Sequence, residues 1–396
     1  MRFPLPLALA LLLAPPVRPA HAAAAPVVLP APRAGEVRAV WIATADIPSP
    51  DWPVSRGDPD RQKEELARLI RQLKGLGLDT VYFQVVSAGD ALYPSAILPW
   101  SRVLTGREGG EPGYDPLAVA VRTARECGMR IHAWINPLRA DNSLDTVHAA
   151  RHVLRTHPEW CHRHRDRVWL DPGEPAVRAH VASIAREIVS RYAVDGLQID
   201  DYFYPDGLRG KAAAEGWDDR ALFARHGGGR DLDRWRTENI DALVRDLHAA
   251  VHGAAAGPVV FGVSPAGRQV NSLRLYANPS HWVEAGTVDY LVPQIYWASD
   301  RADEAAFARA LAEWKPLARK VPVYAGLAAY KHDPRADGAF ASPADRAFRA
   351  KEEFARQLAV CRSSGWVGGA AWFRARHLFT TDLAQYLPST LYPARR

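Results

Sequence analysis

The sequence predicts a single (β/α)8 barrel, an α/β domain of the TIM-barrel type with long insertions in its βα-loops. Three observations carry this expectation: eight short apolar runs recur along the chain, segments of helical periodicity separate them, and several of those segments end in Gly just before the next run. Parallel strands need crossover helices of one hand, so strict alternation repeated eight times closes the sheet on itself. A doubly wound open sheet competes, but no G-x-G-x-x-G follows the first run.

The runs, in order, are VRAVWIATA (37–45), TVYFQVV (80–86), RIHAWINP (130–137), GLQIDDYF (196–203), VVFGVSPAG (259–267), DYLVPQIYW (289–297), VPVYAGLAA (321–329) and GAAWFRA (369–375). DRQKEELARLIRQLKGLGL precedes the second, DPLAVAVRTARECGM the third, PAVRAHVASIAREIVSRYAV the fourth and PADRAFRAKEEFARQLAVCRSSG the eighth, each with an apolar stripe at helical spacing. The longest insertions follow runs one to four, on the face where barrel enzymes keep their chemistry, and are expected to wall a long cleft. The domain is expected over 36–387, after a Pro/Ala-rich linker at 23–35 and before a tail at 388–396.

Residues 1–22, MRFPLPLALALLLAPPVRPAHA, combine Arg2, an apolar stretch too short to span a bilayer, and an A-x-A pattern at Ala20 and Ala22. They read as a cleaved signal peptide, and the mature protein as exported, periplasmic or secreted, without a transmembrane segment or a cysteine placed to take a lipid. The formal charge of +6 counts Arg2 and Arg18, so loss of the leader leaves +4. The arginines are spread along helical segments rather than blocked together, which excludes a nucleic-acid arm. Cys127, Cys161 and Cys361 are too few for a disulfide framework, though one pair could form in an oxidising compartment.

Side chains alternate along a strand, so each run's aliphatic set should face the helices and its intervening set the barrel axis. That parity sends Gln84, His132, Trp134, Asn136, Gln198, Asp200, Gln294, Tyr296, Tyr324, Trp372 and Arg374 inward. An inert barrel would fill those layers with Val, Ile and Leu, because an unpartnered buried polar group costs about 1–3 kcal/mol. Amides, imidazole and indoles beside carboxylates suit a polyhydroxylated ligand, with rings stacking on sugar faces. Trp41, Trp100, Trp134, Trp297 and Trp372 fall in or just after strands, and Tyr93 and Tyr202 in the loops, within reach of such a cleft.

At this point VRAVWIATADIPSPDWP, VYFQVVSAGDALYPSAILPWSRVLTG, YDPLAVAVRTARECGMRIHAWINPLR, DGLQIDDYFYP, VDYLVPQIYW and VYAGLAAY resemble a bacterial family of exported proteins, glycosyl hydrolase-like family ten, from about Glu36 to Tyr386. The resemblance implies a (β/α)8 glycosidase acting on a cell-envelope polysaccharide, peptidoglycan strands stripped of peptides above all; some members of the family are associated with cell division, and protein partners of this chain stay open. Two departures stand out: the leader lacks a lipidation cysteine, and SPAGRQ (264–269) replaces the SPFGIW usual after strand five.

Glycoside hydrolysis ordinarily takes two carboxyl groups, about 5–5.5 Å apart for direct attack and about 6.5–9.5 Å apart when a water intervenes. Neighbours on a strand face opposite ways, so Asp200 is the expected nucleophile or base and Asp201 its support. No glutamate falls at a strand end. The general acid is therefore sought among Asp46, Asp90 and Asp300, with Asp90 preferred because it shares a loop with Tyr93 and Trp100. CHRHRD (161–166) lacks a partner pair at zinc spacing, so no metal or cofactor is expected. A non-catalytic glycan-binding barrel and a glycosidase of an exopolysaccharide are the alternatives.

Overall fold

The computed structural model describes residues 27–44, 50–300, 302–303, 306–336 and 343–393. The signal peptide, the start of the linker and Asp46 lie outside the described residues.

Eight parallel strands form one sheet: β1 (Val37–Ile42), β2 (Thr80–Val86), β3 (Arg130–Ile135), β4 (Gly196–Ile199), β5 (Val260–Val263), β6 (Tyr290–Leu291), β7 (Tyr324–Leu327) and β8 (Gly369–Trp372). Their spatial order is β6-β5-β4-β3-β2-β1-β8-β7, and bridges Leu291↔Val323 and Gln294↔Gly326 join the two ends. The ring is the expected (β/α)8 barrel. Each strand lies inside its apolar run, and all but β2, which fills its run, stop short of the run's end. β6 is only two residues long, because Pro293, one residue beyond Val292, has no N–H to give the ladder.

Helices α1 (Pro59–Gly75), α2 (Pro116–Glu126), α3 (Pro175–Arg191) and α4 (Leu232–Ala254) follow β1 to β4. Asp58, Asp115 and Asp231 cap α1, α2 and α4 by accepting from the amides of Arg61, Ala118 and Arg234. Proline at the first turn of α1, α2 and α3 presets the backbone. No helix among the described residues is long and apolar enough to cross a membrane.

The folded unit is longer at both ends than 36–387. Leu391 and Tyr392 are buried, and Arg362 ties the ends down by donating to Glu36, to the Leu391 carbonyl (2.9 Å) and to the Pro30 carbonyl (2.9 Å). The three cysteines are free thiols.

Inside the barrel, the lower layers are closed by rings. His132 Nδ1 lies 2.8 Å from the Tyr290 hydroxyl, Tyr82 stacks over Tyr290 at 6.3 Å, and Tyr324 sits 5.8 Å from Tyr290. Glycine makes room for them. A Cβ on Gly262 would fall 2.0 Å from the Tyr290 ring, and one on Gly196 2.3 Å from the His132 ring. Gly262→Ala is therefore expected to cost about 1–3 kcal/mol by overpacking, read as a lower urea midpoint at unchanged slope.

On β8 the parity runs the other way from the sequence reading. Ala371 and Phe373 face the axis, while Trp372 points outward, 5.1 Å from Phe354, and donates to the Tyr392 hydroxyl. The stretch GAAW has small residues on both faces, so its aliphatic pattern could not tell inside from outside.

Candidate active site

β4 ends at Ile199, so Asp200 and Asp201 are the first two residues beyond the ladder. Strand alternation no longer governs them, and both line one cavity of about 990 Å³ at the C-terminal mouth of the barrel. The expectation that Asp201 faces away from Asp200 is thereby corrected.

Asp200 is set by a chain of amides crossing four strands. The Thr44 amide donates to Gln84 Oε1 (2.8 Å), Gln84 Nε2 donates to Asn136 Oδ1 (2.5 Å), and Asn136 Nδ2 donates to Asp200 Oδ2. The Thr44 N–H can only donate, so it fixes which end of each amide is oxygen, and the last NH2 must point at the carboxyl. Beneath this relay Trp41 Nε1 donates to Gln198 Oε1 at 2.7 Å. Asp201 is hydrogen-bonded to Gln294 from the segment just after β6.

Burial pushes the Asp200 carboxyl up to about 7, and the neighbouring Asp201 charge adds to the rise; the Arg139 guanidinium, the Asn136 amide and the Tyr202 backbone oppose it. Burial also raises Asp201, against the Gln294 hydrogen bond and Arg139. Two adjacent desolvated carboxyls cannot both ionise cheaply, so the pair holds one proton near neutrality. Asn136→Ala removes a donor that favours the ionised form. The alkaline limb of a pH–rate profile should then move to higher pH, whereas a merely structural Asn136 would lower the rate at every pH alike.

The walls are aromatic and basic. Trp41, Trp134, Trp169, Tyr202, Tyr296 and Phe373 line the cavity, and the indole N–H groups of Trp134 and Trp169 are buried without a hydrogen-bond partner. The Tyr202 ring lies over the Arg139 guanidinium at 3.4 Å and against Trp169 at 5.4 Å, while Arg167 donates to its hydroxyl at 3.2 Å. Arg139 and Trp169 come from a three-stranded antiparallel sheet (139–141, 161–164 and 167–170) inserted after β3. Tyr330, Asp333 and Arg335 enter from the segment after β7, and Arg374, Arg376 and His377 from that after β8.

Asp333 is committed elsewhere. Its Oδ1 accepts from the Arg335 amide and Nε, and its Oδ2 from Arg335 Nη2 (3.1 Å) and the Thr380 hydroxyl (2.6 Å), with His377 Nδ1 at 3.0 Å. These partners hold its carboxyl well below the usual carboxylate range despite burial.

Of the residues anticipated from sequence, the cavity gathers Asp200, Asp201, Trp41, Gln84, Trp134, Tyr202, Gln294, Tyr296 and Arg374, with Asn136 and Gln198 bonded directly beneath. His132 and Tyr324 face inward but belong to the floor; burial brings His132 down to about 3, so it is neutral there. Asp90, Tyr93 and Trp100 do not line the cavity. Their loop folds against the outside of the barrel: Tyr93 is buried against Tyr192 (5.8 Å), Trp100 packs on the core, and Asp90 is buried 3.4 Å from the Ser87 hydroxyl. Trp297 packs behind β5, where a Cβ on Gly267 would meet its ring at 2.7 Å. Asp300 is exposed and does not line the cavity. Arg139, Trp169, Phe373 and Asp333 were missed; alternation in RVWL would have exposed Trp169, but nothing local marks the others.

Two clusters among the described residues have ligand-like composition, Glu108–His148–His152 and His248–His252–Asp289, and neither lines the cavity. In the first, Asp141 and Glu108 flank His148 at 3.2 and 3.3 Å; burial disfavours its charge, but the two carboxylates outweigh that and push it up to about 9. His162, from CHRHRD, is bound to Asp171 at 2.8 Å.

The sequence profile described as Glycosyl hydrolase-like 10 matches residues 36–340. Glycosyl hydrolase YngK of Bacillus subtilis is 33% identical over 367 residues, covering 87% of this chain and 69% of that protein. Glycosyl hydrolase DigH of Escherichia coli K12 is 35% identical over 334 residues, covering 74% and 73%. Among solved structures, the PgaB (BpsB) glycoside hydrolase domain of Bordetella bronchiseptica superposes with a TM-score of 0.57 at 14% identity, over 91% of this chain and all of that one, a likeness of fold.

Proposed function

The chain belongs to the glycosyl hydrolase-like 10 family and is a glycoside hydrolase, and from that premise we propose that it is an exported endo-acting enzyme cutting peptide-free peptidoglycan glycan strands with the carboxyl pair Asp200–Asp201. The observation that carries this reading is the adjacent carboxyl pair Asp200–Asp201 set together at the foot of an aromatic cleft, with burial raising both carboxyls. Asp200, raised to about 7, is the group able to protonate a glycosidic oxygen, and Asp201 is the neighbouring carboxyl that works beside it. This reverses the order assumed from strand parity.

Indoles at Trp41, Trp134 and Trp169 offer faces for successive sugar rings, and the buried indole N–H groups offer donors to hydroxyls. Six arginines line the same cleft. A glycan strand stripped of peptides exposes a lactyl carboxylate on every second sugar, which guanidinium groups match as planar donors. Strands still carrying peptides would have that carboxylate blocked as an amide. The leader-like segment supports export, and the family resemblance supports partners at the division site.

Purified protein incubated with peptide-free strands, with intact sacculi and with an exopolysaccharide, and read by mass spectrometry, tests the proposal. Shortened oligosaccharides are expected from the first alone. Cleavage of the exopolysaccharide alone would move the substrate, and binding to strands without any cleavage would make the barrel a glycan-binding module.

A further inference from the structure

Hydrolysis by two carboxylates needs one on each side of the anomeric carbon. Asp200 and Asp201 are consecutive and leave the same strand end, so they meet a sugar from one wall. The remaining carboxylates on the described walls do not supply the opposite side. Both oxygens of Asp333 are filled by Arg335, Thr380 and His377, and an attack from it would first break that set. Asp166 and Asp206 are exposed, Asp166 to 82% of its side chain, where solvation leaves a carboxylate a poor nucleophile. Among the described residues no glutamate lines the cavity.

Resting on the reading of the chain as a glycosidase of N-acetylated strands, we propose that the nucleophile is the substrate's own 2-acetamido oxygen, with Asp201 receiving the acetamido N–H and Asp200 delivering the glycosidic proton. The acetamido carbonyl oxygen bonds to C1 as the C1–O bond to the leaving sugar breaks, and that oxygen takes the proton from Asp200. Asp201 stabilises the positive charge that forms on the cyclised amide by accepting its N–H. In the second half Asp200, now a carboxylate, takes a proton from water whose oxygen bonds to C1, the C1–O bond of the ring breaks, and the acetamide is restored. The net reaction is hydrolysis with retained configuration.

The surroundings suit an acetamide. Trp41 and Trp134 lie 5.9 and 6.4 Å from Phe373 and make an apolar floor for its methyl group. Tyr296, stacked on Phe373 at 5.7 Å, lines the same cavity and brings a phenolic O–H donor to it. Gln294 anchors Asp201 so that its second oxygen can face the N–H.

Three readings on the full chain test the proposal. Proton NMR of fresh product is expected to show the configuration of the substrate. A bicyclic thiazoline of N-acetylglucosamine, which mimics the cyclised intermediate, should inhibit at least about 10²-fold more tightly than the free sugar. With an aryl glycoside whose leaving group needs no proton, Asp200→Asn should recover activity while Asp201→Asn stays about 10²-fold or more impaired. Inverted product, or retention without thiazoline inhibition, overturns the proposal while leaving the glycosidase reading intact. Failure of the wild type to cut N-acetylated strands at all overturns both.

Discussion

Asp200→Asn should lower kcat by about 10²- to 10⁴-fold and at the same time raise the melting temperature at pH 8. The loss follows from removing the one cleft carboxyl that keeps a proton near neutrality. The gain follows from linkage. The folded carboxyl is raised to about 7, above its ordinary value of 3.8, so the stability contributed by its proton is complete below about pH 3.8 and has been lost once the pH passes about 7. Above that point the wild type buries two negative charges side by side, and an amide of the same shape removes one.

The gap in melting temperature between variant and wild type should therefore open from about pH 4 to pH 7 and stay level beyond. Asn can still accept from Asn136 Nδ2, so the relay through Gln84 and Thr44 survives. Calorimetry at pH 4, 6 and 8, set beside kcat on peptide-free strands, measures both effects. An unchanged melting temperature at pH 8 would mean that Asp200 is solvated, and full activity would remove it from the chemistry.

The barrel was legible because its signal is repeated eight times and each repeat constrains the next: apolar run, helix, glycine stop. The site was legible only where it rides on strands. Gln84, Trp134 and Gln198 follow from alternation, since the ladder fixes where they point, and Asn136 and Asp200, each the first residue past its strand, keep that parity. Prediction by parity failed at two places, one just past a strand and one inside a strand whose own pattern is ambiguous. At Asp201 the strand has already ended, so the neighbours share a face that a strand would deny them. At Trp372 the run GAAW has no large aliphatic partner to define its outer face, and the indole packs outward with Tyr392 from a tail that looked dispensable.

Loop residues were harder for a different reason. Asp90, Tyr93 and Trp100 have the composition of a sugar site, but composition does not say which way a 29-residue connection folds, and this one packs on the barrel's flank. Arg139 and Asp333 reach the cleft only through contacts made by distant segments, with Tyr202 and with Thr380 and His377. Nothing in their own neighbourhood encodes that.

The largest effect on stability should come from Arg236→Met, at about 3–5 kcal/mol. Arg236, on α4, and Asp219 are fully buried and joined twice, Nε to Oδ2 and Nη2 to Oδ1, each at 2.8 Å. The guanidinium also donates to the carbonyls of Leu208 and Lys211 and to the Tyr276 hydroxyl, all at 2.9 Å. It is thus the common donor for both ends of the insertion after β4, whose first residues, Tyr204 to Asp206, form a wall of the cleft. Removing it strands a buried carboxylate and two buried carbonyls, which is worse than the loss of the ion pair alone. Asp219→Asn in the same chain, by discharging the orphan, should return part of the loss, and the size of that return separates the charge from the carbonyls. Urea unfolding of the single and double variants measures it. KM for the strands should rise in the single variant as the wall loosens, with kcat changing less, because the Asp200–Asp201 pair is held by the amide relay and Gln294 rather than by this insertion.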